Sequence, residues 1–137
     1  MNWKLIVLLP LIGLAMGLLT VSIIPSKIEP IFWLAIFVFI AYVITGSVPK
    51  GKYFAHAWFV SLISGVFIGC THAIFHDAYI ANHADEVKQM AGWPGGESPL
   101  AMVAFGPLFG AIFGLVSGCI SMFVGKLRKP KVRQAVS

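Results

Sequence analysis

Three of the four histidines in this 137-residue chain lie close together, at His72, His76 and His83. Spacings of four and seven residues place them within about 40° of one another around an ideal helix. Tyr79 falls on the same stripe and Asp77 lies beside it. An imidazole pair at i, i+4, His72 and His76, reaches a single metal ion from one helix face. His83, Asp77, Asp85 or Glu86 adds a further ligand if the segment after Tyr79 folds back. Neutral imidazole together with carboxylate suits Zn²⁺, Cu²⁺ or Fe²⁺, so a transition metal is the cofactor this pattern nominates. The same groups at a membrane surface are also suited to relaying protons.

A second pattern is built from residues with almost no side chain. Gly106, Gly110, Gly114 and Gly118 recur every four residues and form one bare groove along a helix. Ala57, Ser61, Gly65, Gly69 and Ala73 make a matching strip, and Gly13 and Gly17 add a shorter one. Such strips let backbones approach closely, which favours association where lipid removes the hydrophobic drive. They point to a tightly packed helical hairpin, to pairing of subunits, or to a pore lined by glycine faces. Pro107 falls in the first turns of that helix, where it either starts or kinks it.

The elements that position these groups follow from composition. The chain is 58% hydrophobic and 11% charged, with a mean hydropathy of +0.89, which excludes a water-exposed globule. The apolar residues form four blocks, and a span of about 30 Å needs roughly 20 of them. The expected fold is all-α, a four-helix transmembrane bundle in one integral membrane domain (residues 1–137). Its spans are placed at about 5–24, 30–46, 54–79 and 99–125, with an outer loop at 80–98. The second block is short and would thin the bilayer or stand near perpendicular to it. The first has a long apolar run and no small-x-small cleavage site, so it reads as a retained helix. In the outer loop, Asn82 before Asp85 and Glu86 reads as a helix N-cap, and the run from Gly92 to Gly96 ends that helix.

Charge sets the orientation. With the N-terminus cytoplasmic, the inside holds Lys4, Lys50, Lys52, Lys126, Arg128, Lys129, Lys131 and Arg133, and the outside only Lys27 and Lys88. Both termini then lie inside, and the compartment expected is a cell membrane of bacterial inner-membrane type. All five acids fall outside. Trp3 and Trp58 are placed as anchors at the inner interface, and Trp33 and Trp93 at the outer one. His56 is expected beside Trp58 as a further anchor. The net charge of +5 reads as a topology signal touching anionic headgroups, with the lipid bilayer and no nucleic acid as partner. Cys70 and Cys119 differ in depth by roughly 15 Å and are expected to be two free, buried thiols.

Counting from Phe54, His72 sits about 27 Å up its helix, near the outer edge of the hydrocarbon. There an imidazole is satisfied by water, lipid or backbone, so interface histidines compete with the metal reading. No charged residue lies at central membrane depth, which argues against a proton- or sodium-coupled carrier. No Ser-His-Asp set, phosphate loop or CxxC pair appears, and no residue set nominates a reaction. The leading expectation is a non-catalytic packing subunit, in a homo-oligomer or with other membrane subunits. The alternatives are a metal-binding or metal-handling protein with an outward His site, and a small channel or passive transporter.

Overall fold

The computed structural model describes residues 1–93, 95–96 and 98–128. Pro94, Glu97 and the tail cations Lys129, Lys131 and Arg133 lie outside the described residues. Within them, all regular structure is helical: α1 (Trp3–Leu8), α2 (Pro10–Ser22), α3 (Glu29–Ser47), α4 (Tyr53–Ile74), α5 (His76–Asn82), α6 (Ala84–Met90) and α7 (Pro99–Leu127). Four stretches are long and apolar enough to cross a membrane, with mean hydropathies of 2.4, 2.0, 1.7 and 2.0: Trp3–Ser22, Glu29–Ser47, Tyr53–Ile74 and Pro99–Leu127.

Local chemistry explains the boundaries. Pro10 lacks an N–H and divides α1 from α2, yet Leu9 keeps helical angles (φ −63°, ψ −35°), so the axis continues through the joint. Pro30 and Pro99 sit in the first turns of α3 and α7, where a missing N–H costs no helix bond. The Ser98 hydroxyl caps α7 by accepting from the Ala101 N–H at 3.2 Å. Between α3 and α4 the chain reverses through Gly51 at φ +88°, which residues with a Cβ rarely adopt. α7 runs through Pro107 without ending. Its 29 residues, about 43 Å at a helical rise, are longer than the roughly 30 Å of hydrocarbon that a crossing requires.

The apolar block expected to run unbroken from 54 to 79 divides at Phe75 (φ −103°, ψ 37°) between α4 and α5. A second break at His83 (φ −124°, ψ 41°) separates α5 from α6. Asn82 does not cap α6; its amide donates instead to the Thr20 carbonyl at 3.2 Å, tying α5 to the end of α2. Neither break carries a glycine or proline. Together they fold the segment after α4 back over one end of the bundle.

α4 and α7 form the central pair, with α2 packed on α4 and α3 packed mainly on α7. A Cβ added at Gly106 would lie 2.5 Å from the Gly65 carbonyl oxygen, and one at Gly69 would lie 2.5 Å from that of Met102. Nearer the far end of α7 the glycines face rings instead: Trp58 lies over Gly114, Phe54 over Gly118 and Tyr53 over Gly125. Gly13 and Gly17 of α2 receive Ser64, Ile68 and Thr71 of α4. Apolar packing between Leu9, Ile40, Ile44, Val48 and Val60 closes the same half of the bundle.

Two ends result. At the basic end, the buried His56 accepts from the Asn2 N–H through Nε2 (2.9 Å), so its Nδ1 carries the proton and donates to the Lys52 carbonyl (2.7 Å). His56 is thus a link between chain segments rather than an interface anchor. Arg128 donates to the Tyr42 carbonyl at 2.7 Å and lies 4.2 Å over the Tyr42 ring, fastening α7 to the end of α3. The histidine end carries the candidate site. Cys70 and Cys119 are free, but Cys70 is half-buried and Cys119 exposed, since it faces away from the α4 groove. Trp3 and Trp93 are exposed, whereas Trp33 and Trp58 are half-buried.

Candidate functional site

At the histidine end, the breaks at Phe75 and His83 set three rings in a column. His72 of α4 stacks on Tyr79 of α5 with centroids 4.0 Å apart, and Tyr79 stacks on His83 at 4.4 Å. The column is anchored below by Thr20. Its hydroxyl donates to the Gly17 carbonyl (3.0 Å), so it accepts the proton of His72 Nε2 at 2.9 Å.

The other side of the column meets two carboxylates. Glu29, at the start of α3, and Glu86, in the first turn of α6, each offer an oxygen to a space shared with His83. The three ligand atoms lie within 4.8 Å of one another. His83 Nε2 is 3.7 Å from Glu29 Oε2, too long for a hydrogen bond. Each carboxylate is oriented from behind: Trp33 Nε1 donates to Glu29 Oε1 at 2.8 Å, and the Tyr79 hydroxyl donates to Glu86 Oε2 at 2.8 Å. Burial, reinforced by the neighbouring Glu86 carboxylate, pushes the Tyr79 phenol well above its ordinary value, so it remains a proton donor.

His83 is the anomaly. Its side chain is fully buried, and neither ring nitrogen has a hydrogen-bond partner among the described residues. A buried polar group left unpaired costs about 1–3 kcal/mol. A cation between His83, Glu29 and Glu86 would satisfy Nε2 and both carboxylates at once. Ligand atoms around a tetrahedral ion at about 2.1 Å lie about 3.4 Å apart, so the donors must close in by up to about 1.4 Å. One nitrogen and two oxygens, with no sulfur, suit a divalent ion such as Zn²⁺, Cu²⁺ or Fe²⁺ and disfavour soft Cu⁺.

His83 and Glu86 are among the candidate ligands named from the sequence, whereas Glu29 is not: it precedes His83 by 54 residues and reads only as a loop acid. The signal available was its place at the mouth of a span with Trp33 one turn on. Neither His72 nor His76 belongs to the group of three potential ligands found among the described residues. His72 is engaged by Thr20 and Tyr79, while His76 Nδ1 pairs with the exposed Asp77 at 3.2 Å. The break at Phe75 removes the continuous helix that their i, i+4 spacing assumed.

Beneath the carboxylates lies a partly open cavity of about 510 Å³ in the angle between α3 and the α4–α7 pair. Its floor includes Gly65, Gly69, Gly106 and Gly110, and its walls are mainly aromatic. Sequence reading did not anticipate it, because it depends on how far α3 stands from α4.

Comparison with known proteins adds no relative. No family model, curated protein or solved structure matches the chain. The functional reading therefore rests on the site alone.

Proposed function

We propose that this chain is a metal-binding membrane protein that holds one divalent transition-metal ion through Glu29, His83 and Glu86. The observation that carries the reading is His83, buried with neither ring nitrogen hydrogen-bonded among the described residues and faced by two carboxylates already held in place. Trp33 and Tyr79 then act as the partners that orient the ligating carboxylates. The ion would also join α3 to α6, elements far apart in the chain. In the orientation proposed, both termini lie on the cytoplasmic side and the histidine end faces outward. The support is that Lys4, Lys50, Lys52, Lys126 and Arg128 belong to the basic end while Glu29, Asp85 and Glu86 belong to the other. A bacterial inner membrane fits that distribution.

A packing role in an assembly is the second reading. The glycine-rich hairpin of α4 and α7 favours it less, because those glycines already face one another within the chain. What favours it is the outward face of α3, where Ile31, Leu34, Val38 and Phe39 form an exposed apolar stripe at helical spacing.

Native mass spectrometry of gently extracted protein tests both readings. The expected spectrum shows about one metal per chain, retained in a His72→Ala, His76→Ala variant and lost in Glu86→Gln and His83→Ala. Metal-free wild type prepared without chelator, or unchanged metal in His83→Ala, would overturn the metal site. A mass containing several copies or unlike subunits supports the packing role, and a bare monomer rejects it.

A further inference from the structure

The cavity under the metal site has a chemistry of its own. Its volume of about 510 Å³ lies within the range of small-molecule pockets, roughly 300–1,000 Å³. Among its described lining residues, Glu29 and Glu86 are the only Asp, Glu, Lys or Arg side chains, and both stand at one end. The walls below them are rings: Trp33 and Phe37 from α3, Phe105, Phe109 and Phe113 from α7. Aromatic faces carry negative potential and attract cations at short range, more strongly where water is excluded. Deeper still, Ser61 lines the cavity with a buried hydroxyl that has no partner among the described residues. His83 does not line the cavity, so the carboxylates face it independently of the imidazole.

From this arrangement we propose that the cavity binds a lipophilic monovalent cation, an amine or quaternary ammonium on an apolar body. Charge complementarity identifies the occupant. Two carboxylates at the mouth of an aromatic chamber repel an anionic amphiphile and give a neutral lipid no ionic partner. A cationic head between Glu29 and Glu86 has opposite charge on both sides, and its body packs against the rings that line the chamber. The cavity lies between spans, so such a molecule can enter from the membrane, where it is already concentrated. The ligand goes beyond the metal reading and does not require it, although ion and amine draw on the same carboxylates.

The test uses the full chain in nanodiscs of zwitterionic lipid, with chelator present throughout so that metal plays no part. Equilibrium dialysis measures tetraphenylphosphonium, with tetraphenylborate as an anion of matching size and shape. The expected result is saturable binding of the cation at about one per chain and none of the anion above empty nanodiscs. A Glu29→Gln, Glu86→Gln variant keeps the shape of both side chains and should bind the cation roughly tenfold or more weakly. Asp85→Asn, which removes an exposed acid that does not line the cavity, should bind it as the wild type does. Equal uptake of both probes, or equal cation affinity in the wild type and the glutamine variant, overturns the proposal. Metal content, read separately on wild type prepared without chelator, decides the metal reading on its own.

Discussion

A single methyl group at Gly106 measures how tightly the central pair is built. The added Cβ would stand 2.5 Å from the Gly65 carbonyl oxygen and 3.1 Å from the Gly69 Cα, where ordinary contact begins at 3.4 Å. Both obstacles are backbone, so no rotamer change relieves them and the helices must part by about 0.9 Å at this point. A gap of that size forfeits a quarter to a half of the dispersion energy along the seam. Overpacking of this kind costs up to about 3 kcal/mol, and the better helix propensity of alanine returns about 1 kcal/mol. Gly106→Ala should therefore lose about 2 kcal/mol, roughly thirtyfold in the folded-to-unfolded ratio. Gly92→Ala is the control, since its Cβ would meet only the Gln89 carbonyl at 3.7 Å. The assay is unfolding in mixed micelles by titration with a denaturing detergent, followed by tryptophan fluorescence. If Gly106→Ala unfolds within about 0.5 kcal/mol of Gly92→Ala, the argument from close backbone contact is wrong.

Two further outcomes follow from the polar links. The Tyr79 phenol holds its proton more tightly folded than unfolded. Its contribution is therefore intact below the ordinary phenol value of about 10 and is lost as pH rises beyond it. Stability measured between pH 9 and 11.5 should fall more steeply in the wild type than in Tyr79→Phe, and parallel curves would refute the link. His56→Ala removes the acceptor of the Asn2 N–H and the donor to the Lys52 carbonyl, at a cost of about 1–3 kcal/mol by the same micelle titration. A loss below about 0.5 kcal/mol would mean that His56 joins nothing.

The four helices long and apolar enough to cross a membrane were readable from sequence because a bilayer imposes a crude rule, runs of roughly 20 apolar residues with few charges. The small-residue positions were readable for a related reason: Gly65, Gly69, Gly106 and Gly110 recur at the helical period. What lay beyond reading was anything set by irregular backbone. Phe75 and His83 interrupt their helices without a glycine or proline to mark the place, and both histidine geometry and the route of α6 depend on them. The ideal stripe joined His72, His76 and His83, whereas the column that forms is His72, Tyr79 and His83. Glu29 reaches the site only through the tertiary placement of α3, which no local periodicity encodes. Trp58, expected at the interface from its residue type, has a second contact that residue type alone does not predict: its ring lies over Gly114 of α7.

The bare backbone of Gly65, Gly69, Gly106 and Gly110 has a consequence for the chamber it borders. A wall without side chains has no rotamers, so it presents one fixed contour to whatever lies against it. Any adjustment in width must come from the opposite wall, α3, which is packed mainly on α7 and little on α4. Arg128 ties α3 to α7 at Tyr42 and Thr45 near the far end of α3, whereas Glu29 stands at the opposite end, so a change in chamber width and a change in the Glu29 position are one and the same displacement of α3.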